Sequence, residues 1–365
     1  MSDLSPQAKR PISPLVVVAV FLVVGIGGYV GYTQYHAQRF LSLMRSADAS
    51  YRKGDFAEAV AYSSQAVAVS STDRESRAAN SFLARSLLSR SEGDDTQNGV
   101  AILKDITASP RIDDQLKARV YNGFGGLYRI AGDNENLTQL VFDTPPYNAY
   151  LTQAGGDVRE ATLLLLKDSN ALNPTPFANF RTAVILAEKL HEQGVNVESS
   201  EQLKVAAVIR ELVAAGDSLL DATGTSTMPK IREVHLYRNR SIAFGTISLY
   251  FPETEHRIID ESYERTIALM EALDAESNFT QEQRLRFLLH YAAVRSARAG
   301  SAGDERIKSI LQDFVDSASG LPSVGQDVLD MQERPATNFM RRQISVLAEM
   351  SPEFSDYLKH IGWRS

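Results

Sequence analysis

The segment that decides the fold is Ala47–Ala66, which has the sequence ADASYRKGDFAEAVAYSSQA. Its apolar residues return at intervals of three or four, the period of an amphipathic α-helix. Gly54 and Asp55 interrupt this pattern, because glycine supports a tight turn and aspartate is a favoured helix N-cap. The alanines after the turn, Ala59 and Ala66, are small enough for two helices to approach closely. We therefore predict a helical hairpin in this segment.

The same periodicity continues along the chain, and no stretch alternates apolar and polar residues well enough to predict a β-strand. Helical patterns are clearest in Phe56–Val69 and Leu203–Leu220. Ser241–Phe251 is rich in β-favouring residues, but its apolar positions do not alternate strictly, so we interpret it as a buried helix. Thr280–Gln283 forms a capping box that opens a further helix. The sequence predicts an all-α fold of many helices joined by turns.

Length and composition are those of a protein with a sizeable core, with 365 residues of which 44% are apolar and 23% charged. The formal net charge of −7 argues against a general nucleic-acid binder, which needs a clustered positive surface. Cysteine is absent, which excludes disulfides, thiolate metal sites, iron–sulfur clusters and cysteine nucleophiles. Composition therefore excludes several chemistries without assigning a function.

A long apolar segment without any charged residue, Pro14–Tyr32, lies near the N-terminus. About 20 helical residues that rise roughly 1.5 Å each span about 30 Å, which is the thickness of the hydrocarbon core of a bilayer. The segment is longer than the apolar region of a cleaved signal peptide, and no A-x-A-like cleavage site follows it. We predict a short tail at residues 1–13 and an uncleaved transmembrane anchor at residues 14–35.

The residues around the anchor bear on its orientation and packing. Lys9 and Arg10 directly precede the apolar run and favour a cytoplasmic tail, although basic residues from Arg39 onward weigh in the opposite direction. We expect the body of the chain on the extracytoplasmic, periplasmic side. The alternative is an inverted anchor, which would make the protein a cytoplasm-facing adaptor. Gly27 and Gly31 form a small-xxx-small pair through which two such helices could dimerise in the lipid bilayer.

Other segments repeat features of the first hairpin. Ala118–Asp133 has the sequence ARVYNGFGGLYRIAGD, and Gly156–Ala161 has the sequence GDVREA. The turn glycines Gly54, Gly93 and Gly132 are separated by 39 and 39 residues. These segments resemble the tetratricopeptide repeat, a helix–turn–helix unit with a period of about 34 residues, so the copies here are long and degenerate. The resemblance covers residues 40–175.

The resemblance to tetratricopeptide repeats implies an α-solenoid of helical hairpins that binds peptides or other proteins on a concave face. We expect residues 176–365 to continue as a further array of helical hairpins that ends in a C-terminal cap. In the family, the first helix of each pair usually lines the binding face. Arginines on that face of this chain could hold an acidic segment or a C-terminal carboxylate, and the alternative is that these long polar side chains only solvate the face. The candidate partner-binding residues are then Asp48, Tyr51, Arg52, Arg90, Arg119, Asn122 and Arg129.

Motifs for catalysis or metal binding are incomplete. His191-Glu192 begins like a zinc-binding HExxH helix, but Val195 occupies the place of the second histidine. Glu276-Ser277 resembles the catalytic segment of lytic transglycosylases, but the downstream segment of that family is missing. We therefore predict no catalytic residue, no cofactor and no metal. The leading hypothesis is a non-enzymatic, membrane-tethered scaffold that binds proteins in assembly or secretion at the cell envelope, and the alternative is a cell-wall glycan-processing enzyme.

Overall fold

The computed structural model describes residues 34–110, 112–131, 135–225, 228, 230–251, 256–274, 281–299, 304–333 and 338–364. Within these ranges the regular secondary structure is helical, and none of these residues belongs to a β-strand. The prediction of an all-α fold is therefore confirmed. Successive helices pack as hairpins, an arrangement that is compatible with a helical-repeat solenoid.

The first helix among the described residues, α1, covers residues 34–52. The helices that follow are α2 Phe56–Val69, α3 Asp73–Arg90, α4 Asp95–Ala108, α5 Asp114–Ala131, α6 Glu135–Phe142, α7 Asn148–Gln153, α8 Val158–Leu172, α9 Pro176–Gln193, α10 Ser200–Thr223, α11 Lys230–Tyr250, α12 His256–Asp274, α13 Gln281–Ala299, α14 Glu305–Ala318, α15 Pro322–Glu333, α16 Asn338–Met350 and α17 Pro352–Ile361. The bounds of α2 are those predicted from the apolar pattern, and α10 contains the predicted Leu203–Leu220 segment.

The helices form two compact units. The first contains the chain up to Tyr51 together with Asp55–Ile106, and the second contains Arg52–Gly54 and the chain from Thr107 onward. In the first unit, α2 packs along α3. Ala59 and Ala66 of α2 are fully buried there, as close helix packing requires.

Two turns of the chain share one geometry. Gly54 has φ 80° and Gly156 has φ 88°, a left-handed conformation that glycine adopts without a steric penalty. The next residue in each case, Asp55 or Asp157, is a helix N-cap whose Oδ1 accepts the backbone N–H three residues further on at 3.0 Å. The alanine four residues after each aspartate is fully buried. The similar sequences GDFAEA and GDVREA thus fold into the same start of a helix.

The turn at Gly93 is built differently. Ser91 adopts a left-handed conformation with φ 55°, and Gly93 has φ 50°. Arg90 at the end of α3 then holds Asp95 at the start of α4 through two hydrogen bonds of 2.6 and 2.7 Å. Gly132, the third of the equally spaced glycines, lies outside the described residues. The regular spacing of 39 therefore does not correspond to one repeated turn geometry at Gly54 and Gly93.

Helix α11 lies at the centre of the second unit, where α9, α10, α12 and α13 all pack against it. Its residues from Ser241 to Tyr250 are mostly buried, so the prediction of a buried helix in Ser241–Phe251 is confirmed. Helix α17 packs on α14 and α16, and its Phe354 and Tyr357 rings lie edge-on against Phe314 of α14. Helices α13 and α17 both pack on α14, whose apolar residues are buried.

None of the helices described from residue 34 onward is both long enough and apolar enough to cross a bilayer. The predicted anchor at residues 14–35 lies outside the described residues except for its last two positions. Gly27 and Gly31, the predicted packing pair of that anchor, also lie outside them.

Candidate functional site

Much of the predicted binding face of the first hairpin packs against other residues of the first unit. Tyr51 is only 6% exposed, and its ring contacts Phe56 and Phe82 at centroid distances of 5.3 and 5.7 Å. The guanidinium of Arg85 lies 4.5 Å from the centroid of the Tyr51 ring, and the Tyr51 hydroxyl is 3.0 Å from Oγ of Ser89. Tyr51 is therefore a core residue that ties α1 to α3, and little of it remains for a partner.

Arg90 is also occupied within the unit. Its carboxylate partner, Asp95, is buried, and hydrogen bonds from Arg90 hold the pKa of Asp95 below its ordinary value. The pKa of Arg90 is raised in turn by its hydrogen bonds to Asp95. Asp48 is half-buried, whereas Arg52 is exposed, and both interact with other residues of the chain. Arg90 therefore joins α3 to α4, and its guanidinium is already occupied by Asp95 rather than available to a partner.

The predicted partner-binding residues on α5 have different surroundings. Arg119 is exposed on α5. Asn122 is half-buried, and its Oδ1 accepts a hydrogen bond of 2.5 Å from Nη1 of Arg181 on α9. The side chain of Arg129 lies outside the described residues. Arg52 and Arg119 thus keep the exposure that a partner-binding role requires, and the groove itself stays a prediction.

An open pocket of about 390 Å³ in the second unit is a stronger candidate, and sequence reasoning missed it. It lies where the C-terminal residues return to α15 and α16. The residues that line it are Gln332, Arg341, Arg342, Ser345, Trp363 and Arg364.

Backbone geometry after α17 builds this pocket, which we call the arginine pocket. Gly362 adopts a left-handed conformation with φ 93°, and the N–H of Trp363 then donates to the carbonyl of Leu358 at 2.9 Å. This C-terminal turn sends the last residues back toward α15. There, Nε2 of Gln332 donates to the carbonyl of Arg364 at 2.7 Å. The turn therefore brings two C-terminal residues beside α16.

Electrostatics distinguish the arginine pocket from the rest of its unit. Arg341, Arg342 and Arg364 are exposed, and no ion pair joins them to a carboxylate among the residues that the structure describes. The guanidinium groups elsewhere in this unit commonly have such partners, including Arg159 with Glu192, Arg240 with Asp217 and Arg295 with Asp260 and Asp304. The pocket therefore concentrates positive charge on a chain whose net charge is −7.

A second open pocket, of about 620 Å³, lies between α14 and the junction of α16 and α17. Its lining includes Glu305, Glu349 and Glu353 together with Lys308, which pairs with Glu305 at 2.8 Å. The described residues contain no group of three or more histidine, aspartate or glutamate side chains placed to hold a metal ion. This pocket is therefore a solvated surface of mixed charge.

The histidine that begins the incomplete zinc motif is a core residue. His191 is buried, and its ring stacks on Phe339 with a centroid distance of 4.6 Å. Nε2 of His191 lies 3.1 Å from the hydroxyl oxygen of Thr246 on α11. Burial lowers the pKa of His191 to about 4, so this histidine is neutral near pH 7. Glu276, the residue of the transglycosylase-like segment, lies outside the described residues.

Comparison of the chain with protein-family profiles and with curated protein sequences finds no match to either. The tetratricopeptide resemblance therefore depends on the residues of this chain and on the shared turn geometry at Gly54 and Gly156.

Proposed function

We propose that this protein is a non-enzymatic scaffold of the cell envelope, which is tethered to the membrane by its N-terminus and binds other proteins through its helical body. The observation that carries this proposal is the turn geometry common to Gly54-Asp55 and Gly156-Asp157. A period of about 34 residues counted from Gly54 would place turns at residues 88 and 122, which lie inside α3 and α5, so the two turns share a geometry without a regular period. The shared geometry and the packed helical hairpins support degenerate tetratricopeptide-like repeats.

Repeated hairpins favour binding over chemistry for a physical reason. Each hairpin buries its apolar face against its neighbours, so the polar faces remain available along the whole array. Arg52 and Arg119 are exposed on the first helices of two such hairpins, where the resemblance places the partner-binding face. The arginine pocket adds a second exposed surface, on α16 and the C-terminal residues.

The membrane tether rests on the apolar segment Pro14–Tyr32, and its orientation has a direct test. The chain has no native cysteine, so a single Ser365→Cys or Ser2→Cys variant carries one unique thiol. We expect an impermeant maleimide to label Ser365→Cys in intact cells and to label Ser2→Cys only after permeabilisation. The reverse pattern would place the body in the cytoplasm and contradict the periplasmic location.

The scaffold function is tested by crosslinking in cells, followed by identification of the captured proteins. The matched control fuses residues 1–38 to an unrelated soluble domain, which keeps the proposed anchor and removes the helical body. We expect the full chain to capture a reproducible set of proteins that the control does not capture. Identical sets from both chains would contradict the scaffold function.

A further inference from the structure

We infer that the arginine pocket is a docking site for an acidic peptide segment of a partner protein, an inference that rests on the scaffold function proposed above. Arg341, Arg342 and Arg364 are among the residues that line it. A guanidinium presents a planar fork of N–H donors that matches a carboxylate in two parallel hydrogen bonds. Three arginine residues line the pocket, although the guanidinium of Arg342 also lies beside Gly194.

Backbone carbonyls compensate part of the charge of the pocket. The guanidinium of Arg342 lies beside Gly194, the C-cap of α9, and that of Arg341 lies beside the last turn of α15, where carbonyl groups favour a cation. No carboxylate of the described residues takes part in this compensation. Many arginines of the second unit are compensated by nearby carboxylates, as in the pair of Arg240 and Asp217 at 2.6 Å. Arg342 and Arg364 lack such a carboxylate among the described residues, and Nη1 of Arg341 reaches only the carbonyl of Gln332, at 3.4 Å. Like charges gathered in this way repel each other. An anionic ligand reduces that repulsion, and this electrostatic gain contributes favourably to the free energy of binding.

The pocket also offers an apolar surface and neutral polar groups. Trp363 is half-buried, so one part of its indole packs on the protein while another part faces the pocket. Gln332 and Ser345 supply neutral groups that can form directional hydrogen bonds. The ligand that best complements this lining is a short segment in which aspartate or glutamate residues flank an aromatic or aliphatic side chain.

The shape of the site favours a peptide over a membrane surface. Proteins that lie on anionic bilayers present basic residues beside exposed apolar side chains on an amphipathic helix face. Here the arginine residues line an open concavity of about 390 Å³. The hydrogen bond from Gln332 to the carbonyl of Arg364, at 2.7 Å, also links the two sides of the site before any ligand arrives. Such preorganisation lowers the entropic cost of binding a flexible segment.

Fluorescence anisotropy with the full chain in a nonionic detergent tests this assignment. The probe is a short fluorescein-labelled peptide of alternating Glu and Phe, and the matched probe carries Gln in place of each Glu. We expect the Glu peptide to bind and the Gln peptide to bind at least about tenfold more weakly, because only the former carries charge. Added salt should weaken the binding of the Glu peptide.

Charge reversal locates that binding. The double variant Arg341→Glu/Arg342→Glu should weaken the affinity for the Glu peptide by about tenfold or more. The control variant Arg74→Glu/Lys167→Glu changes the net charge equally at exposed helix positions outside the pocket, and it should bind like the unmodified chain. Equal losses in both variants, or no binding by the unmodified chain, would overturn the assignment.

Vesicles of phosphatidylglycerol separate the membrane alternative from the peptide. Binding to these vesicles that depends on Arg341 and Arg342, without binding to the Glu peptide, would overturn the assignment in favour of a lipid surface. The experiments also distinguish a failure of the pocket assignment from a failure of the scaffold function. If crosslinking in cells captures the same partners from the unmodified chain and from the double variant, the pocket assignment fails while the scaffold function stands. If the peptide binds but no partner is captured, the pocket assignment stands while the scaffold function fails.

Discussion

The Oδ1 atom of Asp157 accepts a hydrogen bond of 3.0 Å from the backbone N–H of Glu160, and this contact caps the first turn of α8. It satisfies one of the backbone donors that every helix start leaves without an intrahelical partner. We expect Asp157→Ala to lower the free energy of unfolding by about 1 kcal/mol. Glu211→Ala, at an exposed position within α10, is the control. Urea unfolding followed by circular dichroism measures both, and equal midpoints would contradict the capping role.

Gly216 shows how closely α9 and α10 approach each other. A Cβ atom at this position would clash with the ring of Phe180, which is fully buried. Alanine normally stabilises a helix interior relative to glycine, but here the overlap has to be relieved in a packed core. We expect Gly216→Ala to destabilise the protein by about 1–3 kcal/mol.

Gly320→Ala is the matched control for that substitution, because a Cβ at position 320 meets no atom within 4 Å. It should leave the urea midpoint nearly unchanged. A higher midpoint for Gly216→Ala than for the unmodified chain would show that helix propensity outweighs packing and would contradict this account of the interface.

Burial of His191 should make stability depend on pH. Its pKa is lowered from 6.5 to about 4 in the folded chain, so the unfolded chain binds the proton more readily. The contribution of neutral His191 to the free energy of unfolding is therefore fully present above pH about 6.5. It is lost as the pH falls toward 4, and the total loss is roughly 3 kcal/mol. Urea midpoints measured between neutral pH and pH about 4.5 follow this loss.

The variant His191→Gln removes the titrating group, so its midpoint should fall less steeply over the same pH range. His360→Gln, at an exposed position on α17, is the control and should keep the slope of the unmodified chain. An unchanged slope in His191→Gln would contradict the role of His191.

The pair of Arg90 and Asp95 should contribute to stability rather than to partner binding. Removing the arginine leaves the buried carboxylate of Asp95 without two hydrogen bonds of 2.6 and 2.7 Å. We expect Arg90→Ala to cost about 1–3 kcal/mol, and Arg74→Ala, at an exposed position on α3, to cost little. At a temperature where both variants stay folded, crosslinking in cells should capture the same partners from Arg90→Ala and Arg74→Ala as from the unmodified chain. A normal urea midpoint with lost partners would restore the groove role of Arg90.

Local features were predictable from the sequence because they depend on neighbouring residues. The bounds of α2 follow from apolar periodicity, and the turn before it follows from the conformational freedom of Gly54 and the capping side chain of Asp55. Ser241–Phe251 was predicted as a helix because its apolar residues do not alternate. Its burial follows from the absence of a polar face.

The site was less predictable because it depends on which helix faces meet. Periodicity shows that Tyr51 belongs to one face of α1, but it does not show that this face packs on Phe82 and Arg85. The arginine pocket joins Gln332, Arg341 and Arg364, which approach only because the chain turns at Gly362. The sequence shows the pairs Arg341-Arg342 and Trp363-Arg364, which could have indicated the pocket. It does not show that the two pairs lie close together, because that depends on the tertiary fold.

Site-specific photocrosslinking in cells from position 345, where Ser345 lines the arginine pocket, tests directly whether an acidic partner segment binds there. A photoreactive residue at exposed Lys204 on α10 is the control position. We expect crosslinks from position 345 to an acidic segment of a partner protein. These crosslinks should be absent from position 204 and lost in the Arg341→Glu/Arg342→Glu background. Crosslinks that are the same from both positions, or that persist after charge reversal, would contradict this expectation.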